Sequence, residues 1–230
     1  MSELFDAPFY QAINEARWNA LERLIAIAEA QIAPIKDFID LGAGPGWFAS
    51  RLAATGREVL GLEGRPELVE MAIERAPRAR FQLFDFDAAG LDTAPAPADA
   101  VLCFGLLYHV ENPLRVLRMC RTMTRHVLFL ETMTLPEDDA SARLLPENPN
   151  ETQGMRQLAL LLSPDAIVHG LQAAGFRRVY RVDGASIGHD DFVDTPQRRK
   201  RRDMFLACDA AIDAPGATEC RPAPLRRYKF

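Results

Sequence analysis

The segment Asp40-Leu41-Gly42-Ala43-Gly44-Pro45-Gly46 places an acid before three alternating glycines. Glycine lets the backbone turn sharply and approach a ligand that a Cβ atom would push away. The residues that follow fit the start of a helix, where free N–H groups attract polar ligand atoms. The spacing differs from the dinucleotide fingerprint G-x-G-x-x-G. We interpret the segment as a cofactor loop rather than a simple tight turn, with these binding residues: Asp40, Gly42, Ala43, Gly44, Gly46 and Trp47.

Two further acidic positions follow short apolar runs. Glu63 ends the run that begins at Val59, and a carboxylate there can accept hydrogen bonds from both hydroxyls of a ribose. Beyond the next apolar run, Asp85 or Asp87 can accept from an adenine amino group, although an exposed acidic turn with Phe86 in the core is also possible. The predicted nucleoside-binding residues are Glu63, Gly64, Arg65, Asp85, Phe86 and Asp87.

The candidates for chemistry follow the predicted fourth and fifth strands. Tyr108 and His109 come directly after the fourth, at the edge where parallel sheets place their active sites. His109 could deprotonate a substrate hydroxyl, or it could stack near the cofactor or cap a turn. Glu131 ends the fifth strand, where it could orient a substrate hydroxyl or pair with an arginine. We therefore take His109, Tyr108 and Glu131 as the catalytic candidates.

A basic run, Arg198-Arg199-Lys200-Arg201-Arg202, precedes the last predicted strand. A planar guanidinium holds oxyanions in a bidentate geometry, so the run could bind an anionic group of the substrate. A solvated approach to the strand is the alternative. The substrate candidates are Arg198, Arg199 and Arg201. We predict no metal site, since no cysteine or histidine cluster has the spacing of metal ligands.

Alternating strands and helices must position these residues. After a leading helix (11–33), the pattern alternates between apolar strands and amphipathic helices, which predicts right-handed crossovers and a parallel sheet. The predicted fold is α/β, Rossmann-like and doubly wound. Its seven-stranded sheet is mostly parallel with the last strand antiparallel, and helices cover both faces. We predict one domain (1–208) with a lid or insertion (135–160), followed by a mobile tail (209–230).

Composition limits the function classes. The 230 residues are 48% hydrophobic and 26% charged, as in an ordinary globular protein. No apolar run is long enough to cross a membrane, and the acidic N-terminus does not resemble a secretory signal. The four cysteines lack a C-x-x-C pair, and the net charge of −5 makes nucleic acid an improbable partner. We expect a cytoplasmic protein with reduced thiols, no membrane partner and a possible homodimer.

The order of elements and the D-x-G-x-G-x-G loop resemble the class I methyltransferases that use S-adenosylmethionine (SAM). That resemblance implies SAM as cofactor, with Asp40 accepting from the methionine amino group. A narrower set of motifs is similar to the wobble-uridine tRNA carboxymethyltransferases, which use carboxy-SAM. It implies that Phe104 and Tyr108 line the cofactor pocket, that Trp18 lies beside the cofactor, and that a late arginine faces the transferred group. The motifs are Phe104-Gly105-Leu106-Leu107-Tyr108-His109, Asn112-Pro113-Leu114, Leu128-Phe129-Leu130-Glu131-Thr132, Gly175-Phe176 and Gln197-Arg198-Arg199.

The chain lacks the long N-terminal extension of those tRNA enzymes, together with its lysine that helps to hold the extra carboxylate. We therefore expect SAM itself to be the cofactor. The predicted function is methyl transfer to an O or N atom of a small metabolite, glycan or natural product. The alternatives are a tRNA-modifying methyl- or carboxymethyltransferase and a non-catalytic SAM-fold binding module. The last would need a broken loop, whereas Asp40, the glycines and Glu63 are all present.

Overall fold

The structure is a computed structural model that describes residues 4–137, 139–150, 152–195, 201–221 and 224–225. Its centre is one twisted sheet in which β1 lies between β2 and β4, parallel to both. The strands are β1 (Asp37–Leu41), β2 (Glu58–Glu63), β3 (Arg80–Leu83), β4 (Ala98–Phe104), β5 (Thr124–Thr134), β6 (Ala142–Pro146), β7 (Leu158–Leu162), β8 (Arg178–Val182), β9 (Arg201–Cys208) and β10 (Ala217–Glu219).

Local sequence signals explain where the helices begin and end. Proline occupies the first turn of four helices, where its missing N–H costs nothing. Asn112 and Ser163 cap two of them by accepting from a backbone N–H, and Gly175 ends one in the left-handed region at φ 111°. The helices are α1 (Pro8–Gln31), α2 (Trp47–Ala54), α3 (Pro66–Arg75), α4 (Pro113–Met123), α5 (Pro164–Ala174) and α6 (Gly184–Ile187).

The sheet order is β10-β8-β9-β5-β4-β1-β2-β3, with β9 antiparallel to both β5 and β8. The doubly wound α/β prediction is confirmed, including the antiparallel last strand of the seven. The strand count differs, because β10 extends one edge and β6 and β7 form an additional hairpin. Both additions are short pairings without a strong sequence pattern.

The hydrophobic core has one layer on each face of the sheet. Alternation along the strands sends Phe38 and Phe129 toward α1 and α2, and sends Leu41 and Leu130 toward α4 and α5. All four side chains are almost completely buried. This three-layer arrangement fixes the carboxyl ends of the parallel strands, which form the floor of the cleft.

The predicted insertion is a hairpin rather than a loop or short helix. β7 pairs in parallel with the end of β5 through one residue pair, Thr134 with Leu162. Leu161 packs near Tyr108. Residues 147–150 and 152–157 lie between β6 and β7, and we call them together the covering loop; residues 152–155 form part of the cleft wall.

Two smaller boundaries differ from expectation. The leading helix begins at Pro8 and ends at Gln31, and residues 217–219 of the predicted mobile tail form β10, which pairs with β8. Within the described part of the chain, no helix combines the length and apolarity needed to span a membrane.

Candidate active site

One cleft lies at the carboxyl ends of β1, β2 and β4, between α1 and the covering loop. Most of the predicted ligand residues line it, which follows from the topology, because parallel strands deliver their following loops to one edge. Those residues are Gly42, Ala43, Gly44, Trp47, Glu63, Gly64, Arg65, Asp85, Phe86, Asp87, Phe104, Tyr108 and His109.

The glycine loop forms one wall of the cleft through backbone geometry. Gly42 and Gly44 have φ values of 70° and 53°, a region that side-chain-bearing residues rarely adopt. A Cβ at Gly42 would lie 3.1 Å from the side chain of Leu106. Gly46, by contrast, lies off the cleft wall, and a Cβ there would crowd Ala72 at 3.2 Å. Gly46 thus serves packing rather than direct ligand contact.

Asp40 lies behind the loop and not on the cleft wall, which differs from the expected direct contact. The residue is only 3% exposed, and its Oδ2 has no hydrogen-bond partner among the described residues. Burial, together with the nearby charge of Glu63, raises the pKa of Asp40 to about 7, and the backbone amide of Ala49 opposes this rise. Although Asp40 lies in β1, its contact with the Ala49 amide brings the carboxyl group against the first turn of α2, whose positive end favours the ionised form.

Glu63 links the loop to the end of β2. Its Oε2 accepts from the N–H of Gly44 and its Oε1 accepts from the N–H of Arg65, both at 2.9 Å. Burial raises the pKa of Glu63, while these two amides oppose the rise. The carboxylate is therefore held at the cleft wall in one orientation, which suits bidentate recognition of a diol.

The turn after β3 is ordered by its own carboxylates. Asp85 Oδ1 accepts from the N–H of Asp87 at 2.9 Å, and its Oδ2 lies 3.1 Å from an Arg156 nitrogen of the covering loop. Asp87 Oδ1 accepts from the N–H of Glu111 at 2.8 Å. Phe86 is buried against Phe84. The turn thus offers a rigid edge to a flat ring while its acids also hold neighbouring loops.

A buried charge cluster of Arg17, Glu131 and Arg202 lies beside the cleft. Glu131 is fully buried, its Oε2 lies 3.0 Å from Arg17 Nη2, and its Oε1 accepts from Arg202 at 2.9 Å. Of the two roles expected for Glu131, the structure gives it the pairing with arginine. Glu131 is not on the cleft wall, so it does not orient a substrate directly.

The two arginines share Glu131, and Arg202 Nε also lies 3.9 Å from Oδ2 of the partly exposed Asp191. Arg17 is on the cleft wall, its side chain is 5% exposed, and its Nε has no hydrogen-bond partner among the described residues. The guanidinium also donates to Asn14 at 2.9 Å. A buried donor without an acceptor is costly, and a ligand carboxylate in the cleft would supply an acceptor for this Nε.

Tyr108 and His109 form the far wall, in a single turn after β4. Their rings are in contact at a centroid distance of 3.9 Å, and the Tyr108 hydroxyl accepts from Arg202 at 3.3 Å. His109 Nδ1 lies 2.7 Å from Oε1 of Glu147, a residue of the covering loop. The insertion therefore reaches the histidine that sequence reasoning selected.

The remaining predicted residues lie elsewhere. Trp18 is buried and packs edge-on against Trp47, so it supports the wall without joining it. Arg201 pairs with Asp194 and Asp203, away from the cluster, and is not part of the cleft wall. Alternation along β9 sends the next residue, Arg202, to the site instead. Arg198 and Arg199 lie outside the described residues.

In the described ranges, no group of histidine, cysteine, aspartate or glutamate side chains could hold a metal ion. The residues that line the cleft suit a nucleoside with an amino-acid tail. Glu63 fits a ribose, the turn at Asp85 fits an adenine, and the orphaned nitrogen of Arg17 fits a carboxylate.

Comparison with known families agrees with this geometry. A family model described as a methyltransferase domain matches residues 13–180. A ubiquinone biosynthesis O-methyltransferase from Xylella fastidiosa (strain 9a5c) is 24% identical over 224 residues, which covers 90% of this chain and 85% of the relative.

Solved structures share the fold at low identity. The N-terminal domain of EvdMO1 with S-adenosylhomocysteine (SAH) bound has a TM-score of 0.65 and 22% identity, covering 86% of this chain and 81% of that one. The glycopeptide N-methyltransferase MtfA in complex with SAM has a TM-score of 0.57 and 16% identity, covering 86% and 87%. An SAM-dependent methyltransferase from Mesorhizobium loti has a TM-score of 0.59 and 18% identity, covering 84% and 97%.

Proposed function

This chain belongs to the class I SAM-dependent methyltransferases, and from that premise we propose that it methylates a hydroxyl oxygen of a small acceptor molecule. The observation that carries the proposal is His109, which lies on the cleft wall with its Nδ1 against a carboxylate. Its Nε2 is the nitrogen left to receive a proton from a hydroxyl group. The name of the Xylella relative, an O-methyltransferase, supports oxygen over nitrogen.

We assign the parts of SAM to the residues that fit them. Glu63 accepts from the ribose hydroxyls, the turn containing Asp85 and Asp87 receives the adenine, and Arg17 pairs with the methionine carboxylate. When bound, SAM supplies an electrophilic methyl group on a sulfonium. Arg17 replaces the expected basic clamp, because of the arginines that line the cleft, Arg17, Arg65 and Arg75, it is the buried one.

The chain contributes alignment, exclusion of water and proton transfer. The glycine loop and Glu63 fix one side of the cleft, and Tyr108 and His109 fix the other. The covering loop closes the top, where Arg65 donates to the carbonyl of Gln153 and Met155 packs against Gly64. Holding two reactants in line accounts for most of the acceleration in such transfers, and His109 removes the hydroxyl proton.

The function is tested by incubating the protein with SAM and a panel of catechols, flavonoids and sugar alcohols. Mass spectrometry should find a product heavier by one methylene unit and an equal amount of SAH. Fragmentation should place the methyl on oxygen. Transfer only to amines would overturn the O-methyl assignment while leaving the methyltransferase itself intact.

A second candidate, carboxymethyl transfer, is favoured by one observation. Arg202 donates to the Tyr108 hydroxyl beside the cleft, so a cation stands where the carboxymethyltransferase resemblance implies an arginine facing the transferred group. A titration that compares SAM with carboxy-SAM decides between the two. We expect SAM to bind more tightly, because Arg202 already pairs with Glu131 and leaves less positive charge for an extra carboxylate. The homodimer and the cytoplasmic location stay predictions.

We expect Glu63→Ala to weaken SAH binding by about tenfold, or about 1.4 kcal/mol, because charge-assisted hydrogen bonds to the ribose are lost. Titration calorimetry measures this. Glu70→Ala, an exposed glutamate of α3, serves as the matched control and should bind normally. Equal affinities in the two folded variants would move the ribose away from Glu63.

A further inference from the structure

The covering loop contributes a buried carboxylate to the site through Glu147, just beyond the end of β6. The Glu147 side chain is only 5% exposed. Its backbone N–H donates to the carbonyl of Gln157 at 2.9 Å, which closes the base of the loop. Its Oε2 accepts from the N–H of Gly154 at 2.8 Å. The Gly154 amide therefore orients the carboxylate, while the backbone bond to Gln157 fixes the position of the residue.

The other oxygen of this carboxylate faces the imidazole of His109. Oε1 lies 2.7 Å from Nδ1, within ion-pair distance, and the buried Nδ1 makes no hydrogen bond of standard geometry to any described residue. Gly154 makes this approach possible, since a Cβ there would lie 2.7 Å from the His109 carbonyl oxygen and 2.8 Å from Glu147 Oε2. The loop and the histidine are thus fitted to each other at backbone distance.

We propose that Glu147 is a positioning residue for His109: it holds the proton on Nδ1 and leaves Nε2 free to accept the hydroxyl proton of the acceptor. An ionised carboxylate can only accept hydrogen bonds, so the nitrogen that faces it must be the protonated one. A histidine with its second nitrogen oriented in this way is a competent general base. This inference rests on the proposed function, because it takes His109 to be the base.

These groups account for each bond and proton in the proposed methyl transfer. The acceptor oxygen forms a bond to the methyl carbon while the carbon–sulfur bond breaks and sulfur keeps the electron pair. The hydroxyl proton passes to His109 Nε2, and the resulting imidazolium is stabilised by Glu147 until the proton leaves to water.

Glu147→Gln tests the proposal with little change in shape. The glutamine oxygen still accepts from Gly154, so its amide nitrogen faces His109 and donates to Nδ1. That reversal places the imidazole proton on Nε2 and removes the acceptor. Glu137→Gln is the matched control, because Glu137 is a carboxylate of the same insertion that pairs with Arg143 outside the cleft.

The first readout needs no cofactor or acceptor. The chain has four histidines, so the ring nitrogens of ¹⁵N-histidine-labelled protein can be assigned by NMR, with His109→Ala identifying the His109 signals. In mildly alkaline solution we expect wild type and Glu137→Gln to carry the His109 proton on Nδ1, and Glu147→Gln to carry it on Nε2. A wild-type proton on Nε2, or no change in Glu147→Gln, would overturn the proposal.

The second readout is turnover of whichever hydroxylated acceptor the panel identifies. We expect Glu147→Gln to lower kcat by about a hundredfold, the size of a general-base contribution, with the KM for SAM unchanged. Glu147→Gln should add no further loss in a His109→Ala background. Additive losses would contradict the proposal. If no hydroxyl is methylated at all, the proposed function fails, whereas the NMR result still decides the tautomer.

Discussion

Arg17→Ala should weaken SAH binding by at least about a hundredfold, or about 3 kcal/mol, while the protein stays folded. Arg17 is buried on the cleft wall with an unpartnered Nε, so its removal takes away the cation that we assign to the amino-acid carboxylate. Glu131 keeps Arg202 as its partner, which leaves a neutral buried pair rather than an isolated charge. Calorimetry with SAH measures the loss.

Two controls isolate the carboxylate. Arg23→Ala removes an exposed arginine of the same helix, which donates to the carbonyl of Ser186, and should leave SAH affinity unchanged. Methylthioadenosine lacks the amino-acid part of SAH, so it should bind wild type and Arg17→Ala equally well. If methylthioadenosine also loses affinity in Arg17→Ala, the variant has damaged the cleft and Arg17 does not bind the carboxylate.

The sequence predicted the fold well because its signals are local. The glycine loop, the proline-initiated helices and the apolar strand runs each determine conformation within a few residues, and chirality then limits their arrangement. The hairpin of β6 and β7 was missed because Leu158 to Leu162 is a short apolar run and Gln157 precedes it in the left-handed region, at φ 57°. The connection contains Pro149 and Gly154, but the left-handed residue directly before β7 is a glutamine, so no glycine marks where the strand begins.

Most of the predicted residues that follow β1, β2, β3 and β4 line the cleft, whereas Arg17 and Asn14 of α1, which also line it, were not predicted. Arg17 and Asn14 are polar residues on the otherwise apolar face of that helix, one turn apart. A buried arginine at such a position needs a counterion, which was the available signal. Its counterion, Glu131, comes from a distant strand, and no local pattern links the two residues.

Glu131→Gln should lower the free energy of unfolding by about 3 to 5 kcal/mol at neutral pH. The glutamate is completely buried between Arg17 and Arg202, and replacing it with a neutral amide leaves two like charges with no anion between them. Breaking a buried ion pair costs this much because a charge without compensation cannot regain its hydration. Urea denaturation measures the change.

The loss of stability in Glu131→Gln should become smaller as the pH falls. Although burial alone would raise the pKa of Glu131, Arg17 and Arg202 hold it below its ordinary value of 4.5. A lowered pKa in the folded state adds stability above the ordinary value, and this stability is lost as pH falls through the folded-state pKa. The difference in free energy of unfolding between wild type and Glu131→Gln should therefore be largest at neutral pH and should decrease only in strong acid.

Glu219→Gln provides the matched control for this prediction. Glu219 pairs with Arg178 at 2.6 Å near the surface, where both side chains are partly exposed. Exposed pairs contribute at most about 1 kcal/mol, so this variant should unfold close to wild type at every pH. If Glu131→Gln is no less stable than Glu219→Gln, the two arginines do not depend on Glu131, and other groups must compensate their charges.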